Sequence, residues 1–197
     1  GSSTNSFCWL HAVLQRSSSL SHLRQYYIPQ ISETAKSLWS LYLGLTVSCA
    51  FLYYVAGMDL FDAIAHSFST IAIGGFSTHD LSIGYYNNYL IEIICIFFML
   101  ISAINFILHY MALSSKSLSC YLKDSEFITY LLIIFILLSV FILYITFSGN
   151  INISFHDIIF QTISFITTSG FTTTSHGNWP DFIITALILA SFIGACA

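Results

Sequence analysis

The sequence FDAIAHSFSTIAIGGFSTHD at residues 61–80 has a related counterpart, FQTISFITTSGFTTTSHGNWP, at residues 160–180. The two regions align at an offset of 95 residues, which also pairs Asp62 with Asp157, three residues before the second quoted stretch. The other matched pairs are Ser67 with Thr162, Ser69 with Ser164, Gly75 with Gly170, Phe76 with Phe171, and Ser77 with Thr172. An internal duplication with apolar segments on either side is typical of membrane proteins.

Composition indicates that lipid is the solvent of this chain. Of the 197 residues, 56% are hydrophobic and 7% are charged, whereas soluble domains carry about a quarter charged residues. The formal charge of -4 provides no basic surface, which excludes nucleic acid as a partner. The five cysteines form no CxxC pair, which argues against a disulfide framework or a zinc site. We therefore expect membrane lipid to be the first partner.

Three apolar runs, residues 38–57, 90–113 and 127–147, are long enough to cross a bilayer. A fourth begins at Phe182 and is incomplete at the last residue, so we expect a fragment of a longer chain. Two further apolar stretches, residues 60–72 and 155–167, are too short to cross. Stretches of that length favour re-entrant half-helices.

Each half-helix leads into a glycine-containing turn, at residues 73–77 and 168–172. A backbone that leaves helical form at membrane depth is tolerated where it is buried in protein or lines a water-filled cavity. The unit is therefore span, half-helix, filter turn and span. It occurs first at residues 28–113 and again, with a truncated last span, at residues 126–197. Residues 1–27 remain an unassigned leader.

The basic residues predict the orientation of these units. They precede the first span or lie in the connecting loop at 114–125, and they are Arg16, Arg24, Lys36, Lys116 and Lys123. Segments 58–89 and 148–181 contain no lysine or arginine. The positive-inside rule therefore places the connecting loop in the cytoplasm, and both half-helices enter the membrane from outside.

A half-helix with this orientation points its C-terminal end at the membrane centre, where unpaired carbonyls favour a cation. The following turn can direct its carbonyls at an axis, because glycine accepts the positive φ angles that such a ribbon needs. Rings of carbonyls replace the water shell of an ion. A potassium filter needs about four such strands, and this chain supplies two.

Together with ISETAKSLW at residues 31–39, these stretches resemble the TrkH/KtrB family of potassium transporters, in particular its TrkH branch. The resemblance runs from about residue 28 to the end and covers the second and third of that family's four pore repeats. It implies an all-α membrane fold and multi-pass insertion in the cell inner membrane. It also implies potassium transport through a channel-like pore, with no enzymatic activity and no organic cofactor. The implied protein partners are a second copy in a homodimer and a cytosolic nucleotide-binding ring of TrkA type.

The resemblance also implies which residues form the filter through their backbone carbonyls. Gly75 and Gly170 are the single glycines kept in each degenerate filter strand. The carbonyls expected to coordinate potassium directly are those of Ile73, Gly74, Thr168 and Ser169. The complete set of candidate filter residues is Ile73, Gly74, Gly75, Phe76, Thr168, Ser169, Gly170 and Phe171.

Other polar and aromatic residues have more than one interpretation. Asp62 and Asp157 either attract cations at the outer mouth or offset the N-terminal dipole of each half-helix, which we favour. Metal binding is disfavoured at the outer histidines because no two have HxxxH spacing; these are His66, His79, His156 and His176. Polar residues of the second span are either functional or bond to other helices; they are Glu92, Asn105 and His109, of which the last two should share a helical face. Aromatic residues near the span ends, such as Tyr53 and Tyr86, are expected to be interface anchors.

Two other functions are weighed against transport. An intramembrane enzyme could use the buried acidic and histidine residues, but no paired motif such as HExxH or GxSxG is present. A non-conducting relic or assembly subunit is the other alternative, because two filter strands cannot enclose an ion.

Overall fold

The computed structural model of the chain describes residues 35–115, 119–148, 153–175, 177 and 179–194. The predicted leader lies outside the described residues. From residue 41 onward, the described residues belong to one compact unit. The regular elements that the described residues form are all helical, which confirms the predicted fold class. They are α1 (Ala35–Val55), α2 (Leu60–Ile71), a 3₁₀ helix (Ser82–Tyr86), α3 (Tyr89–Ser102), α4 (Phe106–Ser115), α5 (Ser119–Lys123), α6 (Ser125–Ser148), α7 (Phe155–Ile166) and α8 (Asp181–Gly194).

Within the described part of the chain, two helices, α1 and α6, are long and apolar enough to cross a membrane. Helices α3 and α4 would make a third span if they are taken together, but they are bent by 87° at the break between them. The expectation that residues 90–113 form one transmembrane helix is therefore wrong, because this run consists of two helices with a break between them.

Asn105 lies in the break between α3 and α4 and caps the start of α4. Helix α3 ends at Ser102, and the side-chain oxygen of Asn105 accepts a hydrogen bond from the N–H of Ile107 at 2.9 Å, as an N-cap residue does. His109 then holds the bend: one ring nitrogen bonds the carbonyl of Ile101 in α3 at 2.9 Å, and the other bonds the hydroxyl of Tyr121 in α5 at 2.7 Å. The expectation that Asn105 and His109 share a helical face is wrong, because Asn105 precedes α4.

The half-helices α2 and α7 are amphipathic, and their buried faces join a common core. α2 packs against α3, and α7 packs against α3, α6 and α8. Tyr53 of α1 is fully buried in this core, and its hydroxyl bonds that of Thr70 in α2 at 3.0 Å. Phe160 of α7 belongs to the same cluster. Tyr53 is therefore a core residue and not the interface anchor that its position near a span end suggested.

Candidate functional site

Each half-helix is followed by a short strand in which the sign of φ changes from residue to residue. In the first strand, Ile73 has a φ of 54° and Gly75 a φ of 65°. In the second, the equivalent Thr168 and Gly170 have φ angles of 59° and 80°. A regular strand points successive carbonyls to opposite sides, whereas this alternation turns them toward one side. The positive φ expected at the two glycines is present, and that at Ile73 and Thr168 was not expected.

The end of each half-helix explains the unexpected positive φ. After α2, the N–H of Ile73 donates to the carbonyl of Thr70 at 3.2 Å, and the N–H of Gly74 donates to that of Ser69 at 2.7 Å. The same two bonds, both at 3.0 Å, follow α7. This is the Schellman motif, whose left-handed residue is usually glycine. A β-branched residue such as Ile73 is strained in that conformation.

Three successive carbonyls in each strand accept no hydrogen bond from a protein donor within the described residues. They belong to Ile73, Gly74, Gly75, Thr168, Ser169 and Gly170. The next carbonyl, of Phe171, accepts the hydroxyl of Ser164 at 2.7 Å. The equivalent hydroxyl in the first unit, of Ser69, is buried and has no partner among the residues that the structure describes. These carbonyls follow the C-terminal ends of two half-helices, where the helix dipole is negative, and this arrangement favours a cation.

The two filter strands lie directly beside each other. A Cβ built on Gly75 would overlap the carbonyl oxygen of Ser169 and lie 3.2 Å from the carbonyl carbon of Gly170. The two phenylalanines differ: Phe171 is fully buried in the common core, whereas Phe76 is 81% exposed. The fold therefore brings together both sets of candidate residues except the Phe76 side chain.

Asp62 connects α2 to the segment that follows the first filter strand. One carboxylate oxygen accepts the hydroxyl of Thr78 at 2.8 Å. The other accepts the hydroxyl of Tyr86 at 2.7 Å and bonds the ring Nε2 of His79 at 3.0 Å. The bond from Tyr86 is the main reason why the pKa of Asp62 is lowered to about 2, with His79 and Thr78 contributing. Asp62 is in the first turn as expected, but it also binds the loop, and Tyr86 is its partner and not a simple interface anchor.

Asp157 makes the equivalent contact in the second unit. Its carboxylate accepts the hydroxyl of Thr173 at 2.9 Å, and Thr173 stands at the same offset of 95 residues from Thr78. Sequence reasoning missed this pair, although the offset that aligned the two aspartates also aligns the two threonines.

His66 lies behind the first strand and is fully buried. Its Nδ1 donates to the carbonyl of Asp62 at 2.8 Å, so its Nε2 accepts the hydroxyl of Ser77 at 2.9 Å. Burial lowers the pKa of His66 because it disfavours the imidazolium form. Gln161 takes the equivalent position in the second unit, where its buried amide has no partner within the described residues. His176 lies outside the described residues.

The 3₁₀ helix of the first unit supports the second filter strand. The N–H of Gly84 donates to the carbonyl of Thr172 at 3.1 Å, and the N–H of Thr172 donates to the hydroxyl oxygen of Ser82 at 3.2 Å. These two bonds connect the first span, half-helix and filter unit to the second at Thr172, the residue after Phe171. Sequence reasoning did not single out Gly84 or Ser82.

A polar cavity of about 210 Å³ lies beside this joint. Its lining includes Glu92, His156 and Asp157. Glu92 of α3 and His156 of α7 are 2.9 Å apart, so the polar residue of the second span bonds to another helix. Of the two roles that the sequence left open for Glu92, this contact is the bond to another helix.

These features define a class of protein: an α-helical membrane protein in which two re-entrant half-helices each lead into a strand of unengaged carbonyls. The chain matches the family model for TrkH, described as a cation transport protein, over residues 11–197. It belongs to that family, as the sequence resemblance predicted.

The relatives of the chain bear Trk names. It is 48% identical over 174 residues to the Trk system potassium uptake protein TrkH of Vibrio parahaemolyticus, a match that covers 86% of this chain and 36% of that protein. It is 46% identical over 172 residues to TrkH of Escherichia coli K12, with the same coverage. The Trk system potassium uptake protein TrkI of Halomonas elongata is 27% identical over 173 residues, which cover 86% of this chain and 35% of that protein.

A solved structure has the same fold. The crystal structure of the potassium transporter TrkH from Vibrio parahaemolyticus matches with a TM-score of 0.77 and 48% sequence identity. The match covers 83% of this chain and 36% of that one. The chain therefore spans about a third of the length of the relatives it matches.

Proposed function

We propose that this chain forms part of a potassium uptake pore, to which it contributes two filter strands. The observation that carries the proposal is the pair of adjacent strands, each with three carbonyls that accept no protein donor within the described residues. Carbonyls in such rows replace the water shell of a dehydrated cation. The names of the relatives support potassium as that cation.

In this proposal, potassium is coordinated by the carbonyls of Ile73, Gly74, Thr168 and Ser169. The glycines that follow, Gly75 and Gly170, let the strands continue with positive φ. The Phe76 carbonyl remains a candidate. The Phe171 carbonyl is the weakest of the eight, because the Ser164 hydroxyl already occupies one of its lone pairs.

We place the pore in the cell inner membrane and assign it no enzymatic activity and no organic cofactor. The proposed protein partners are a second copy of the chain and a cytosolic nucleotide-binding ring of TrkA type. Support comes from the printed names of the relatives, which assign them to a Trk system for potassium uptake.

Uptake of rubidium, a potassium analogue, into vesicles tests the proposal. The protein expressed from its complete gene is expected to take up rubidium against a large excess of sodium. The control is the same vesicle preparation without the protein. Insertion at normal abundance without uptake would contradict the proposal and favour the alternative of a non-conducting assembly subunit.

The proposed orientation predicts the sides from which two exposed positions react. In a variant whose native cysteines are replaced by alanine, Asn87→Cys should react with an impermeant maleimide from outside the cell. Lys123→Cys should react from the cytoplasmic side. Both side chains are exposed, so accessibility is matched. Reaction of both from one side would overturn the orientation in which the half-helices enter from outside.

A further inference from the structure

The same hydrogen bond, between two residues outside the filter strand, occurs in both filter units. In each, an aspartate in the first turn of the half-helix accepts the hydroxyl of the threonine that stands three residues beyond the filter glycine. The pairs are Asp62 with Thr78 at 2.8 Å and Asp157 with Thr173 at 2.9 Å. Each pair is separated by 16 residues along the chain. We name this contact the aspartate–threonine clasp.

The clasp closes a loop that contains the half-helix, its C-terminal cap and the filter strand. The helix is a rigid rod of about 1.5 Å per residue. The Schellman motif fixes the beginning of the strand to the last turn of that rod. The clasp fixes the far end of the strand to the first turn. A strand held at both ends by one rod has little freedom to rotate its peptide planes.

We propose that Asp62 and Asp157 are positioning residues for ion selectivity: through Thr78 and Thr173 they hold the filter carbonyls in the direction that discriminates potassium from sodium. This inference rests on the proposed function and adds to it the residues outside the filter on which selectivity depends. Neither aspartate contacts the ion. Each acts through the strand that its threonine ends.

The two clasps differ in strength. The Asp62 carboxylate has three partners, Thr78, His79 and Tyr86, and His79 also stacks on Tyr85 with ring centroids 3.7 Å apart. Within the described residues, the Asp157 carboxylate has one hydrogen-bond donor, Thr173. Loss of the Asp62 clasp should therefore change selectivity more than loss of the Asp157 clasp.

The chain offers a close control for the experiment. Asp59 lies three residues before Asp62, is exposed and makes no side-chain cap bond to α2. Asp59→Asn removes the same charge as Asp62→Asn without touching the clasp. Thr78→Val removes the hydroxyl at nearly constant volume, and Thr78→Ser keeps it.

The test measures the ratio of rubidium to sodium uptake in vesicles that contain the protein expressed from its complete gene. Asp62→Asn and Thr78→Val are expected to lower the ratio by about tenfold, the effect of losing a hydrogen bond to a charged group. Asp59→Asn and Thr78→Ser should keep the ratio within about twofold of the unmodified protein. The double variant Asp62→Asn with Thr78→Val should be no worse than Asp62→Asn alone, because both remove one contact.

Amide hydrogen exchange of purified protein gives a second readout that does not depend on transport. Exchange in residues 73–77 should be faster in Asp62→Asn and unchanged in Asp59→Asn. An unchanged exchange rate in Asp62→Asn would overturn the clasp. So would an unchanged uptake ratio in that variant, or an equal loss of selectivity in Asp59→Asn. Absence of rubidium uptake by the unmodified protein would instead contradict the proposed function. Hydrogen exchange would still show whether the aspartate–threonine clasp orders the strand.

Discussion

Replacement of Gly75 with alanine is expected to abolish rubidium uptake while the protein remains in the membrane. The new Cβ would overlap the carbonyl oxygen of Ser169 and lie 2.9 Å from its carbonyl carbon. Both are backbone atoms of the second filter strand, so neither can yield without moving that strand. The φ of +65° adds about 1 kcal/mol or more of strain for any residue with a Cβ. We expect the initial rate of uptake in vesicles to fall by at least about a hundredfold.

Two other glycines provide matched comparisons. Gly170→Ala also acquires a strained backbone, at a φ of +80°, but its Cβ would meet no atom of the described residues within 4 Å, so its uptake should fall less. A Cβ on Gly44 in α1 would meet no described atom within 4 Å, and the φ of Gly44 is not positive, so Gly44→Ala should transport like the unmodified protein. Membrane abundance, measured by immunoblot, separates loss of transport from loss of insertion. Uptake by Gly75→Ala equal to that of Gly44→Ala would remove Gly75 from the ion path.

The helices were predictable where they depend on hydropathy and repetition. Apolar run length indicated α1 and α6, and the 95-residue offset indicated that α2 and α7 are equivalent. The break in the second span was not predicted, because hydropathy does not register one asparagine among apolar residues. The side chain of Asn105 accepts the N–H of Ile107 and caps the start of α4, and a local hydrogen bond of this kind does not enter a hydropathy average.

In the candidate filter, the backbone conformation was predictable at the two glycines but not at the other residues, and the contacts that hold the strands were not predictable. Glycine at positions 75 and 170 indicated where a positive φ would occur, since glycine adopts it most easily. The left-handed Ile73 could not be predicted from its residue type, which disfavours that conformation. The partners of Asp62 lie up to 24 residues away along the chain. A sequence pattern read along one helix shows only the position of Asp62 at the N-terminal end of that helix, so it could not predict these contacts.

The joint between the units gives the second large expected effect. Gly84→Ala places a Cβ where it would overlap the carbonyl oxygen of Thr173 and lie 2.9 Å from its carbonyl carbon. The substitution should therefore separate the 3₁₀ helix from the second strand and lose the 3.1 Å bond from Gly84 to the Thr172 carbonyl. The second filter strand would lose the support of the first unit. We expect the rubidium-to-sodium uptake ratio to fall by about tenfold or more.

A milder substitution at the same joint keeps this prediction testable if Gly84→Ala fails to fold. Ser82→Ala removes the hydroxyl oxygen that accepts the N–H of Thr172 but adds no atoms. Its loss of selectivity should have the same direction and a smaller size, because one bond is lost without a steric clash. Gly177→Ala is the control, since within the described part of the chain its Cβ would meet no atom within 4 Å. If Ser82→Ala and Gly84→Ala both insert normally and retain the selectivity of Gly177→Ala, the second strand is held by its own unit alone, through the Schellman motif and the Asp157 carboxylate.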